Sequence, residues 1–154
     1  DFRSTFWSSA AEARPWQLRA LEHATVAVGN RAEVAVAVGD AAPEEQATRL
    51  LQLGVEMAFI KLGPEGTLVA WSGGMSRVEP TPIVVVNGLG AGDAFGGALC
   101  HGLLAGWSAL RIAHFASAGG AYVAGQLACA DAMPTERDVG ELLLRTPRAQ
   151  YPKS

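Results

Sequence analysis

The chain has little charge, few cysteines and no long apolar run. Only 18% of its 154 residues are charged, and the net charge is near −3. That balance provides no broad basic surface, so we do not expect nucleic acid as a partner. No apolar run is as long as a membrane-spanning helix, which needs about 18 residues. The amino terminus lacks the pattern of a secretory signal. We therefore expect no membrane association.

Cysteine is scarce as well. Cys100 and Cys129 each stand alone in an apolar, helical context. This predicts two reduced thiols in the core rather than a disulfide, and hence a cytoplasmic protein.

Apolar residues make up 49% of the chain, which is enough to form one globular domain over residues 1–154. Alternating patterns predict an α/β fold whose mostly parallel sheet is flanked by helices. Pro15 is expected near a turn boundary. Predicted strands are 24–28, 57–62, 67–71 and 83–86, and predicted helices are 8–22, 44–53, 91–105, 109–127 and 135–145.

The most informative stretch is residues 83–98, where a β-branched run ends in a glycine-rich turn that opens a helix. Gly88, Gly90 and Gly92 let the backbone approach a ligand closely. A helix start adds unpaired N–H donors and a positive dipole end, which together bind anions. A carboxylate at the same place, Asp93, suits a base that takes a proton from an attacking hydroxyl. The stretch predicts phosphoryl transfer to an alcohol.

Two other glycine motifs do not fit this turn. A Walker loop needs a lysine and a hydroxyl residue, and neither follows Gly92. A dinucleotide fingerprint needs a strand-helix-strand unit with an acidic residue about 20 positions on, and the next segment is a second small-residue helix. One alternative stays open, a tight turn whose glycines serve packing, with Asp93 as an ordinary first-turn charge.

Two further turns carry candidate ligands. Asn30 and Glu33 lie one helical turn apart, which suits a hydrated magnesium ion. The alternative is an N-cap asparagine followed by a first-turn glutamate. Lys61, Gly63 and Gly66 form a tight turn after a strand, which can line a nucleotide or simply close a hairpin.

These motifs, in this order and spacing, resemble the ribokinase-like, PfkB-type family of carbohydrate kinases. The resemblance runs through nearly the whole chain but covers only the carboxyl-terminal, nucleotide-binding half of a typical member. It implies a three-layer, Rossmann-like fold that is incomplete without the amino-terminal half. It also implies that Asp93 is the general base and that Gly90, Ala91 and Gly92 form the anion hole.

The same resemblance implies the ligands. Asn30 and Glu33 would organise Mg2+ and phosphate. The residues expected to border ATP are Lys61, Gly63, Gly66, Gly88, Ser117 and Ala121. Many relatives have an aspartate where this chain has Asn87, so a monovalent-cation site is not expected with the same chemistry.

The expected acceptor is a small-molecule sugar acid. Asp1 and Arg3 are the candidate substrate residues, since a guanidinium binds a carboxylate bidentately. The chain begins at Asp1 without a methionine, which leaves open a cropped domain, a processed product or a fragment. Because the resemblance covers only the carboxyl-terminal half of a member, we expect this segment alone to have little or no activity. An incomplete sheet predicts self-association into a homo-oligomer. Two alternatives remain open, a non-catalytic nucleotide-binding or assembly module and a kinase acting on another sugar or nucleoside.

Overall fold

The computed structural model describes residues 4–146. Within them, no helix has the length and apolar character needed to cross a membrane. The helices are α1 (Ala10–Leu21), α2 (Arg31–Val38), α3 (Pro43–Gln52), α4 (Ala91–Leu104), α5 (Ala109–Ala124) and α6 (Glu136–Arg145). The strands are β1 (Val26–Asn30), β2 (Met57–Lys61), β3 (Thr67–Trp71) and β4 (Gly74–Val78). Short 3-10 turns cover Ser4–Phe6, Gly63–Glu65 and Ala130–Ala132.

The described residues divide into two compact units, the first formed by 4–63 and 67–77, the second by 64–66 and 78–146. The four strands form one sheet in the order β1-β2-β3-β4. Strands β1 and β2 are parallel, whereas β2 and β3 are antiparallel. The α/β fold is confirmed, but the sheet is mixed rather than mostly parallel, because β2 returns through the short turn 63–66 without a crossover helix.

The core of the first unit explains its strands. Ala58 and Ile60 of β2 pair with Ala70 and Leu68 of β3, and all four pack with buried side chains of α2 and α3. The alternate residue Phe59, on the other face of β2, is also fully buried. A strand buried on both faces reads as a continuous apolar run, which is how Met57–Lys61 could be predicted.

The second unit is built on the close contact of α4 and α5. A Cβ placed on Gly119 would lie 3.0 Å from the Cβ of Ala98, and one placed on Gly120 would lie 3.0 Å from the carbonyl oxygen of Ala91. Glycine therefore lets the two backbones approach each other. Val139 of α6 packs in one cluster with Phe115 and Ala118 of α5, and Ala98 of α4 contacts this cluster.

Three predictions about local structure are wrong. Residues 83–86 form no strand, because no neighbouring strand pairs with them in the described part of the chain. Pro15 lies inside α1 and not at its boundary; the helix continues although Pro15 has no N–H to donate to the carbonyl of Ala11. The thiols are free, but Cys100 is exposed and Cys129 is half-buried, so neither is a core residue.

Candidate active site

The glycine-rich turn leads directly into α4. Gly90 is the N-cap residue and has a left-handed backbone, with φ of +83°, a conformation that glycine adopts without steric cost. Asn87 shapes the turn, because its Oδ1 accepts a hydrogen bond from the Leu89 N–H at 3.0 Å. The carbonyl of Gly90 accepts the Ala94 N–H at 2.9 Å, which starts the regular helix.

The turn leaves main-chain donors unused. No side chain caps α4, and the N–H groups of Gly90, Gly92 and Asp93 have no acceptor among residues 4–146. Ala91 differs, because its N–H donates to the carbonyl of Gly88 at a long 3.3 Å. Asp93 is exposed at the same helix start. Free donors at the positive end of a 14-residue helix are groups of the kind that bind anions, and the Asp93 carboxylate belongs to the same turn.

Asn30 and Glu33 adopt the arrangement that the alternative interpretation predicts. Asn30 Oδ1 accepts the Glu33 N–H at 2.9 Å, and Glu33 Oε2 accepts the Asn30 N–H at 2.7 Å. This is a reciprocal capping box at the start of α2. It leaves Glu33 Oε1 without a hydrogen-bond partner in the described residues, so one carboxylate oxygen is not used by the cap. Residues 4–146 contain no cluster of three or more His, Cys, Asp or Glu side chains that could hold a metal.

The first unit brings the second candidate turn next to this cap. Asn30 and Lys61 are register partners at the carboxyl ends of the parallel strands β1 and β2. Gly63 lies two residues after Lys61. Ligands of α/β proteins bind beyond such strand ends. The chain therefore places Asn30, Lys61 and Gly63 at one edge of the sheet.

The two glycines of the Gly-x-x-Gly turn have different surroundings. Both have positive φ, +61° at Gly63 and +85° at Gly66. Gly63 is exposed, and a Cβ there would meet nothing within 4 Å. Gly66 is buried, and a Cβ there would lie 2.0 Å from the carbonyl oxygen of Val78. Packing alone explains Gly66, whereas only Gly63 is open to a ligand.

The other predicted nucleotide residues lie in the second unit. Ser117 and Ala121 are half-buried on α5, and Gly88 is exposed in the turn. Gly120, beside Ala121, packs against the first residue of α4. The candidate substrate residues Asp1 and Arg3 lie outside the described residues.

Sequence reasoning missed two contacts of the turn. Asn87 donates its Nδ2 proton to the carbonyl of Leu127 at 3.2 Å. The Sγ atom of Cys129 lies 2.4 Å from the position that a Cβ on Gly90 would occupy. The asparagine before a glycine turn is a detectable signal for the local bond to Leu89. No sequence pattern indicates the contact of Cys129.

Comparison with known proteins identifies the same family that the sequence motifs resemble. The model of the "pfkB family carbohydrate kinase" matches residues 1–136. A 5-dehydro-2-deoxygluconokinase of Clostridium perfringens is 28% identical over 148 residues, which are 93% of this chain and 44% of the relative. A 2-dehydro-3-deoxygluconokinase of Thermoproteus tenax is 32% identical over 144 residues, with the same two coverages. The chain thus spans under half the length of these relatives.

Solved structures share the fold. A fructokinase from Vibrio cholerae O395, with fructose, ADP and calcium bound, has a TM-score of 0.80 and 25% identity over 92% of this chain and 48% of its own. A ribokinase-like protein of Escherichia coli in complex with ATP and Mg2+ also has a TM-score of 0.80 and 25% identity, over 87% and 44%. The family match covers most of the residues, so the chain belongs to the pfkB family of carbohydrate kinases.

Proposed function

We propose that the protein containing this chain transfers the γ-phosphoryl group of ATP to a hydroxyl group of a sugar acid. The observation that carries the proposal is the start of α4, where unused N–H donors and the exposed Asp93 carboxylate stand side by side. A carboxylate has no role in holding a resting phosphate, since the two charges repel. It has a role when an alcohol must lose its proton as it attacks phosphorus.

The two groups divide the reaction between them. Asp93 accepts the proton of the attacking hydroxyl, and the turn of Gly90, Ala91 and Gly92 stabilises the charge on the oxygens of the migrating phosphoryl group. The Ala91 N–H must leave the carbonyl of Gly88 to take part, and its 3.3 Å hydrogen bond is long enough for that exchange to cost little. Preorganised donors of this kind contribute about 10²–10³-fold each.

Magnesium is the proposed metal, with Asn30 and Glu33 as its protein ligands. The remaining Glu33 Oε1 fits an ion that keeps several waters and takes few protein oxygens. When bound, Mg2+ neutralises charge on the phosphate oxygens. The capping box orients Glu33, so the structural role and the metal role are compatible in one side chain.

Nucleotide binding is proposed for the exposed Gly63 with Lys61 in the first unit, and for Gly88, Ser117 and Ala121 in the second. Gly66 supports its turn by packing. Nucleotides are bound in the solved relatives of E. coli and V. cholerae, which supports ATP as the phosphoryl donor.

The proposed acceptor is 5-dehydro-2-deoxy-D-gluconate, converted to its 6-phosphate in the breakdown of inositol. Several curated relatives bear the name of the kinase for this compound, and the T. tenax relative is named for another sugar acid. A carboxylate in the acceptor calls for a cation, and Arg3 is the proposed one. We place the reaction in the cytoplasm.

Asp93→Asn in the protein with its complete reading frame tests the base. We expect turnover to fall by about 10²–10⁴-fold because the base is lost, while the KM for ATP stays nearly constant. The matched control is Asp40→Asn, which removes the same charge from an exposed carboxylate in the α2–α3 loop. Near-normal turnover in Asp93→Asn would remove this residue from its role.

A panel of acceptors tests the substrate class. We expect Mg-ATP to phosphorylate 5-dehydro-2-deoxygluconate faster than fructose, ribose or a nucleoside. Preference for a neutral sugar would contradict the proposal for Arg3. Calorimetry with millimolar Mg-ATP on this chain tests the alternative that it is a non-catalytic assembly module. Absence of heat would favour that alternative.

A further inference from the structure

The segment that follows α5 holds the glycine-rich turn by hydrogen bonds. The carbonyl of Ala124, the last residue of α5, accepts the N–H groups of Val86 and Asn87 at 2.8 and 3.0 Å. Three residues later, the carbonyl of Leu127 accepts the side-chain amide of Asn87 at 3.2 Å. The residues just before α4 are therefore hydrogen-bonded to a segment that lies far away in the sequence.

The same segment also supports the turn sterically. A Cβ built on Gly90 would lie 2.4 Å from Cys129 Sγ, 3.4 Å from Met133 Cε and 3.5 Å from Val123 Cγ1. The thiol fills the space in which a side chain at position 90 would sit. The backbone of Gly90 cannot move toward that side without displacing sulfur, so the left-handed N-cap is confined.

Asn87 uses both ends of its amide. Its Oδ1 accepts the Leu89 N–H within the turn, and its Nδ2 donates to Leu127 outside it. One side chain thus fixes the shape of the turn and its position relative to the end of α5. An alanine at this position would lose both bonds.

We propose that Asn87 and Cys129 are positioning residues for phosphoryl transfer, which act by holding the N–H groups of Gly90, Gly92 and Asp93 where the transferred group passes. This inference rests on the proposed function. Donors that stabilise a transition state work only at a fixed distance, and a displacement of about 1 Å can cost about 10²-fold in rate. Neither side chain has to touch a substrate for this role.

Steady-state kinetics on the protein with its complete reading frame test the proposal. We expect Asn87→Ala to lower kcat by about 10–100-fold while the KM for ATP changes by less than about 3-fold. Cys129→Val adds bulk against Gly90 and should lower kcat similarly, whereas the isosteric Cys129→Ser should keep near-normal turnover. Cys100→Val, on the exposed side of α4, is the matched control and should have no effect.

A second measurement does not depend on enzymatic activity. It therefore also applies to variants whose turnover is low for a reason other than a displaced turn. In 1H-15N correlation spectra of this chain, Asn87→Ala and Cys129→Val should shift the amide signals of Gly90, Gly92 and Asp93. Cys100→Val should leave those signals in place. The spectra also show whether each variant remains folded.

The outcomes separate the two proposals. Unchanged kcat and unchanged amide signals in both variants would overturn the inference about Asn87 and Cys129. Loss of ATP affinity in parallel with kcat would overturn it too, because that pattern indicates general damage to the fold. A parent protein that is inactive on every acceptor would overturn the proposed function instead, while the amide signals still decide whether the two residues hold the turn.

Discussion

Replacing Gly66 by alanine should lower the free energy of unfolding of the chain more than the same replacement at Gly63. Both glycines belong to the turn that follows β2. Both glycines have positive φ, so an added Cβ meets the left-handed backbone penalty of about 1–2 kcal/mol at either position. Only at Gly66 does the Cβ also meet an atom, the carbonyl oxygen of Val78 at 2.0 Å. Backbone must move to relieve that overlap, because no side-chain rotation can.

The difference between the two variants isolates the steric part. The alanine restricts the unfolded chain equally at both positions, so this contribution cancels. Overpacking of a tight contact costs about 1–3 kcal/mol. We therefore expect the free energy of unfolding of Gly66→Ala to lie about 1–3 kcal/mol below that of Gly63→Ala.

Urea denaturation followed by far-ultraviolet circular dichroism measures this difference, provided that both variants keep the parent's dependence on urea. Gly54→Ala extends the control, because that glycine has φ of +98° and nothing within 4 Å of its Cβ position. Equal stabilities for Gly66→Ala and Gly63→Ala would refute the reasoning. A variant less stable at Gly63 than at Gly66 would refute it more strongly.

Three further expectations concern the cap, pH and association. Asn30→Ala should destabilise the chain by about 0.5–2 kcal/mol in urea because α2 loses its N-cap, and a stability within error of the parent would contradict the capping box. Burial lowers the pKa of His114 below its ordinary 6.5, so the unfolded state takes up a proton first. Stability should fall as pH drops below 6.5 and through the lower folded pKa, and His114→Gln should flatten that slope in pH-dependent urea titrations. Val84 and Val85 are 82% and 67% exposed. If this apolar segment mediates the expected self-association, Val84→Lys should shift sedimentation velocity toward the monomer without loss of stability.

Several elements could be predicted because local chemistry determines them. Pro43 begins α3 and Gly54 follows its end with positive φ, as the residue types require. The small residues predicted helices at 91–105 and 109–127, and the structure has them at Ala91–Leu104 and Ala109–Ala124. It also shows why the residues are small, since the two helices touch at Gly119 and Gly120. The helix start after the glycine-rich turn could be predicted because glycines and a carboxylate occur together there.

Other features could not be predicted, because different structures share the same letters. A β-branched run at 83–86 indicates a strand, but a strand also needs a neighbour, which sequence does not show. The spacing of Asn30 and Glu33 serves a capping box and a metal site equally well. Gly63 and Gly66 are the same residue type in one turn, and only the tertiary structure shows that their surroundings differ. Cys129 reaches Gly90 through the tertiary fold, so no local pattern indicates their contact.

The close packing of α4 on α5 has a consequence for how this protein can change. Gly120 meets Ala91 through backbone, so the first turn of α4 moves only if α5 moves with it. The orientation of Asp93 therefore depends on a main-chain contact that side-chain exchange on the surface leaves intact. Side chains on the outer surface can diversify while this backbone contact is kept, whereas even a single methyl group added at position 120 would disturb it.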